Sequence, residues 1–248
     1  MKSLKDESID LILTDPPYNV SEDATIIIDN KGNVPREIGM NAEWDKMSSN
    51  EYFKLLFGFV DEAYRVLKKS GSLICFISDK YLSYLREYVI NKGMVYRQTC
   101  VWIKSNPVPQ MRKVKFMHAT ELFFCANKQK GVDSFRWEEG QHANVFYHPI
   151  VQGKERLNHP TQKPIWLMKE LIRYYTHEGD TVLDPFLGSG TTMEASIILK
   201  RNSIGIENNA DYIALTTHRL EKHINQKDLS GNIVNFKTIN VKEKEGIL

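Results

Sequence analysis

The run Val182-Leu183-Asp184-Pro185-Phe186-Leu187-Gly188-Ser189-Gly190-Thr191-Thr192 constrains the fold more than any other part of this 248-residue chain. A short apolar stretch ends on an acid, a glycine-bearing turn follows, and threonines open a helical pattern. Glycines at such a turn let a ligand approach the backbone, and the amides of a helix start can hold an anionic group. Glu207 stands 23 residues after Asp184, just past the next apolar run, Ser203 to Ile206. In an open α/β sheet that is where an acid accepts the hydroxyls of a nucleotide ribose. Strand, turn, helix, strand and acid together read as a nucleoside-binding half-fold. A glycine turn that merely packs a helix on a strand is the simpler alternative.

Charge narrows the ligand. A pyrophosphate would sit badly beside Asp184, and Met193 stands where a dinucleotide fingerprint wants a third small residue. A ligand carrying an ammonium and a sulfonium would suit that carboxylate. S-adenosylmethionine (AdoMet) has both, with a carboxylate for the turn amides and a ribose for Glu207.

The rest of the chain fits the same architecture. Ile9 to Thr14 reads as a buried strand that stops at Asp15-Pro16-Pro17-Tyr18, where two prolines forbid its continuation. Ser48 and Glu51 form a capping box ahead of a helix whose apolar face is Phe53, Leu56, Phe57, Val60, Tyr64 and Leu67, ending at Lys68, Lys69 and Gly71. Further strands are expected at Leu73 to Ile77, Val95 to Ile103, Thr120 to Ala126, Thr181 to Leu183 and Ser203 to Ile206. Helices are expected at about 79 to 92, from Pro164 to Gly179, and at about 191 to 200 and 210 to 224. The alternation implies one α/β domain over 1–248: a doubly wound, mainly parallel sheet covered on both faces, with an antiparallel hairpin made by the 95–103 and 120–126 strands. Residues 19–48 read as a long loop able to close over a site, with Trp44 as its anchor. The irregular stretch 127–158 reads as a small insert, and Ile233 to Ile239 as a last strand.

Composition excludes several classes. Thirty-three Lys and Arg against 31 Asp and Glu, with 42% hydrophobic residues, describe an ordinary globular chain rather than collagen, a disordered tail or a disulfide scaffold. A formal net charge of +2 argues against a histone-like binder, not against a nucleic-acid enzyme with its basic residues on one face. Cys75, Cys100 and Cys125 lie in apolar runs without ligand spacing, so no metal is expected, and the histidines form no metal-binding set. No run approaches the ~18 apolar residues of a membrane span, which with the reduced cysteines suggests a cytoplasmic protein.

Asp15-Pro16-Pro17-Tyr18 follows a strand and so belongs to the same carboxyl edge as the glycine turn. The chemistry this turn suits is methylation of an exocyclic amine whose lone pair is delocalised into its ring. An Asp15 oxygen and the Pro16 carbonyl can each accept an amine N–H, drawing nitrogen toward sp3 for in-line attack on a methyl group. Tyr18 offers a stacking face for a base swung out of its duplex. Taken alone, Asp-Pro-Pro is a common turn.

The motifs Thr14-Asp15-Pro16-Pro17-Tyr18-Asn19, His159-Pro160-Thr161-Gln162-Lys163-Pro164 and Asp184 to Thr192, in this order, resemble those of the amino-methylating DNA methyltransferases, which act on adenine N6 or cytosine N4. The resemblance covers about residues 10 to 222, and the catalytic motif preceding the AdoMet motif is similar to the permuted β group. It implies the AdoMet-dependent methyltransferase (Rossmann-like) fold, and that Asp15, Pro16, Pro17 and Tyr18 hold the target base. It further implies AdoMet contacts from Asp184, Pro185, Phe186, Gly188, Ser189, Gly190, Thr191 and Glu207, with Gln162 and Lys163 lining the same pocket. Asp at the head of the catalytic motif and Tyr at its end favour adenine, a leading Ser being commoner among the cytosine enzymes.

Double-stranded DNA is then the expected partner. Arg112, Lys113 and Lys115 could meet phosphates, and Arg136, in the 127–158 stretch, could read base edges, a solvated loop being the alternative. Similar enzymes often dimerise and often accompany a restriction enzyme, so both are carried as expectations. Two rivals stay open: an RNA or protein-amide methyltransferase on the same fold, and a nucleotide-binding protein without catalysis.

Overall fold

The computed structural model describes residues 1–19, 47–109, 114–157 and 159–223, with the backbone of 26–28 and 36–38. The first strand, β1 (Ile9–Thr14), is central because it is apolar on both sides. Ile9 and Ile12 join one buried cluster, Leu11 and Leu13 the other. The short strands β2 (Ile26–Ile28) and β3 (Arg36–Ile38) pair antiparallel with each other. The other calls on the 19–48 loop, including Trp44, and the strand at 233–239 lie outside the described residues.

Helix α1 (Ser49–Val66) starts where its capping box dictates: Ser48 Oγ accepts from the Glu51 amide, and the Glu51 carboxylate accepts from the Ser48 amide. It passes directly into β4 (Leu67–Ile77), six residues earlier than the apolar run Leu73 to Ile77 suggests. The extra length is a bulge. Ile9 pairs with Leu67 and Leu11 with Ser72, and the polar residues between them are held by Lys68 Nζ on both Asp10 oxygens at 2.8 Å. Then come α2 (Asp79–Asn91), capped by Ser78, β5 (Val95–Lys104) and β6 (Thr120–Asn127).

The irregular stretch after β6 contributes β7 (Val145–His148), which lies parallel to β5. Helix α3 (Ile165–Tyr175) stops short of Gly179; β8 (Thr181–Asp184), α4 (Thr191–Ile198), β9 (Asn202–Gly205) and α5 (Ala210–Glu221) complete the chain of elements. A seven-stranded sheet results, in the order β7-β5-β6-β4-β1-β8-β9. Six strands share one direction and β6 alone is reversed. The sheet is therefore mainly parallel with an antiparallel hairpin, as the sequence pattern suggests.

Helices α1 and α2 cover one face and α3 and α4 the other, each burying its own cluster. Aromatic and aliphatic side chains alternate between the clusters along β4, with Leu73, Cys75 and Ile77 on one side and Ile74 and Phe76 on the other. No helix among the described residues is long and apolar enough to cross a membrane.

Candidate active site

The topology gathers the chemistry at one edge. The ends of β1, β4, β5, β8 and β9 and the start of the reversed β6 all lie at the carboxyl edge of the sheet, where ligands of open α/β sheets bind. Neighbouring β1 and β8 place the two turns side by side, and a buried hydrogen bond joins them: Thr14 Oγ1 donates to Asp184 Oδ1 at 2.7 Å. A cleft of about 370 Å³, open to solvent, lies between them, lined by Thr14, Asp15, Lys163, Asp184, Gly188 and Thr191 among others.

The first turn is fastened from beneath. Tyr52 of α1 donates its hydroxyl to the Pro17 carbonyl at 2.5 Å, Asn19 donates to the Tyr81 hydroxyl of α2 at 3.3 Å, and Asn19 Oδ1 accepts from the Met47 amide at 2.8 Å. Pro16 is buried, and neither Pro16 nor Pro17 has an amide to satisfy. Asp15 Oδ2 is paired with the Lys163 ammonium, while its Oδ1 is buried without a hydrogen-bond partner among the described residues. Burial pushes the Asp15 carboxyl above the usual range, opposed by Lys163 and reinforced by Glu121. The Tyr18 hydroxyl donates to Glu121 Oε2 at 3.3 Å, and burial beside these acids holds it well above an ordinary phenol.

The second turn is shaped by its glycines. Gly190 has φ 76°, and a Cβ there would lie 2.6 Å from Thr216 Cγ2; Gly188 has φ 52°, with His159 Nε2 2.9 Å from where a Cβ would be. Gly190 is also the residue before α4, so the turn and the helix start are one structure. Asp184 is buried and accepts from Thr14 and from the Phe186 amide at 3.2 Å. Burial pushes its carboxyl up to about 6, against these hydrogen bonds. Among the described residues it has no cationic partner.

Glu207 accepts from the amides of Gly188 at 2.8 Å and of Asn208 and Asn209 at 2.9 Å. Its carboxylate thus clamps the glycine turn to the start of α5. With about four lone-pair sites on a carboxylate, three amides leave capacity for about one further hydroxyl. Pro185 is buried; Phe186 meets Phe59 edge-on at 5.6 Å and lines the cleft. Ser189 Oγ lies 3.3 Å from Thr191 Oγ1, which also accepts from Arg219 at 2.5 Å.

The segment around 159–164 reaches the same cleft. Gln162 is buried and staples its own loop, accepting from the Leu157 amide and donating to the Glu155 carbonyl, both at 2.9 Å. Lys163 lines the cleft, but its ammonium is spent on Asp15 and, at 3.0 Å, on Glu121 Oε2. His159 packs against Tyr212 with the rings tilted and their centroids 4.6 Å apart, and burial lowers it to about 4, which keeps it neutral near pH 7.

Among the residues expected to meet DNA, Arg112 and Lys113 lie outside the described residues, and Lys115 is exposed in the β5–β6 connection at the carboxyl edge. Arg136 is not brought to the cleft. Its guanidinium pairs with Glu138 at 2.9 Å and Glu139 at 2.8 Å and donates to the Arg173 and Thr176 carbonyls at the end of α3. Glu121 and Lys104, 2.8 Å apart, escape sequence reasoning entirely, since neither belongs to a motif. No group of histidines, cysteines and acids among the described residues could hold a metal ion.

Known proteins resemble this chain in sequence and in fold. A family model for DNA methylases of the N6/N4 type matches residues 9–218. The type II methyltransferase M.HpaI of Haemophilus parainfluenzae is 31% identical over 245 residues, covering 92% of this chain and 73% of its own. M.HinfI of Haemophilus influenzae is 31% identical over 238 residues, covering 90% of this chain and 66% of its own. The structure of an M1.HpyAVI complex with SAM superposes with a TM-score of 0.69 at 28% identity, covering 89% of this chain and 91% of that one. The PvuII cytosine-N4-specific methyltransferase reaches a TM-score of 0.71 over 88% of this chain and 81% of its own, but at 19% identity it speaks for the fold alone. Because the matched span takes in both turns and the segment between them, this chain belongs to the N6/N4 family of DNA methylases.

Proposed function

We propose that the protein methylates the exocyclic N6 of adenine within a short duplex DNA sequence, using AdoMet and taking the base out of the stack to reach it. An AdoMet-dependent DNA amino-methyltransferase follows from the family; adenine and the residue roles are the finer reading. The observation that carries it is Asp15 Oδ1, a buried carboxylate oxygen left without a partner, in the same cleft as Asp184. A buried acceptor without a donor is costly, and an amine N–H would satisfy it.

The residues present fit AdoMet. Asp184 has no cation of its own and would take the ammonium end, Glu207 retains room for a ribose hydroxyl, and the Gly188 to Thr191 turn allows close approach. When bound, AdoMet supplies an electrophilic methyl group on a sulfonium. Everything else falls to the protein. Asp15 Oδ1 and the Pro16 carbonyl accept the two amine protons and turn the nitrogen lone pair out of conjugation. Tyr18, its ring 5.4 Å from the Lys163 ammonium, supplies an aromatic surface for the extruded base. Asp15 Oδ1, as an acceptor for that amine, would also take the proton that the methylated nitrogen must lose.

The Asp-Pro-Pro-Tyr form of the turn supports adenine. The family match favours DNA over RNA or protein amides and an enzyme over a passive binder. A cognate restriction enzyme is part of the reading, supported by the type II names of the relatives, as are a homodimer and a cytoplasmic setting. Methyl transfer from labelled AdoMet to unmethylated duplex DNA, with chromatography of the digested nucleosides, tests it. Label in N6-methyladenine is expected; label in N4-methylcytosine would overturn the base, and no label would overturn the substrate.

A further inference from the structure

Asp15 is one end of a row of alternating charges. Its Oδ2 holds the Lys163 ammonium, that ammonium lies 3.0 Å from Glu121 Oε2, and Glu121 Oε1 lies 2.8 Å from Lys104 Nζ. The row draws on the turn after β1, the segment ahead of α3, the start of β6 and the end of β5. Its inner members are withdrawn from water, with 7% of the Lys163 side chain and 14% of the Glu121 side chain exposed. Buried ion pairs are a poor way to gain stability, because apolar residues of similar volume do as well or better. Neither Glu121 nor Lys104 has a part in holding cofactor or base as described above.

We propose that Lys163 and Glu121 are positioning residues that act on the reaction through Asp15. Lys163 anchors Oδ2 so that Oδ1 is the oxygen offered to the amine, and Glu121, itself held by Lys104, shares the ammonium so that Asp15 is not paired too strongly. The inference rests on Asp15 being the acceptor for the base amine. That role sets two opposed demands. Asp15 must be ionised to accept an N–H, which burial opposes and Lys163 favours. It must then accept a proton, which an undivided lysine would hinder and which the second carboxylate restores.

The charged and titratable groups around Asp15 are Tyr18 in its own turn, Lys163 ahead of α3, Glu121 on β6 with Lys104 behind it on β5, Asp184 on β8 and Cys75 on β4. Of these, Lys163 and Glu121 act on Asp15 with opposite sign.

The test is single-turnover methyl transfer to duplex DNA by the full chain, at saturating AdoMet, between about pH 5 and 9. Lys163→Met is expected to slow transfer about 100-fold and to move the acid limb up by about one pH unit. Glu121→Gln is expected to slow it less and to move the same limb down by about one unit. Opposite shifts are the signature, since a merely structural role would lower the rate without moving the limb. Thermal stabilisation by AdoMet checks each fold; should Lys163→Met lose it, Lys163→Gln replaces it and is expected to move the limb up in the same way. Limbs that stay in place, or move the same way, overturn the inference. A parent chain inactive on DNA at every pH would instead overturn the role of Asp15, and the inference with it.

Discussion

The two turns at the carboxyl edge sit side by side on adjacent parallel strands, yet they are built on opposite principles. The turn after β1 is built on two prolines, which bring carbonyls but no amide donors, and it leaves the buried Asp15 Oδ1 without a hydrogen-bond partner among the described residues. The turn after β8 is built on glycines, whose backbone can be approached closely, and its amides donate to Asp184 and Glu207. Both turns thus offer carboxylates to donors, the proline turn beside carbonyls of fixed geometry and the glycine turn beside a backbone that can be approached closely. The difference teaches that turn composition reports how a ligand is met, by acceptors held rigid or by a backbone brought close.

Asp15→Ala breaks the comparison most severely. Methyl transfer should fall about 1000-fold or more, while the affinity for AdoMet measured by calorimetry stays near that of the parent. Loss of cofactor binding would show the turns to be misassigned. Asp184→Ala should act the other way, weakening AdoMet about 10- to 100-fold through loss of a charged partner, and an unchanged dissociation constant would remove the ammonium from Asp184.

A pH series sharpens the same point without mutation. Because burial lifts Asp184 from 3.8 to about 6, a bound cation must draw off its proton, so AdoMet affinity should rise with pH and level off above about 6. Stability in the free protein has the opposite sign: this group's contribution is full below 3.8 and is lost as pH rises through about 6. Affinity independent of pH between 4 and 7 would contradict the assignment. The smallest effect is expected for Thr14→Val, which removes the hydrogen bond between the turns but leaves Asp184 its Phe186 amide. About 1 kcal/mol of stability and a few-fold in AdoMet affinity are expected to go, read from a melting curve and a titration; a loss as large as that of Asp184→Ala would mean that Thr14 itself meets the ligand.

What the sequence reveals of this site is what is local. The capping box at Ser48, the glycine turn and the Asp-Pro-Pro-Tyr turn carry their geometry within a few residues, so their positions can be read directly. The row from Lys104 to Asp15 cannot, because Glu121 lies 106 residues from Asp15 and its neighbours Thr120 and Leu122 make it look like any strand residue. Only the pairing of β6 with β4 and β5 brings it to the edge. The start of β4 is hidden for a different reason: a bulge of polar residues, held by Lys68 on Asp10, has no hydrophobic period. Arg136 shows the converse, a residue type suited to reading bases that is consumed in closing the end of a helix. Composition offers a repertoire of partners, and topology decides which of them is near.

The reversed direction of β6 also affects how such a protein can change. β5 ends and β6 begins at the same edge, on the side of the cleft. Lengthening the connection between them would disturb neither cluster of the core, and each doubling of a flexible loop costs only about 0.6 kcal/mol in closure entropy. That connection is therefore where the chain has most freedom to change in length while the strands of the sheet stay as they are.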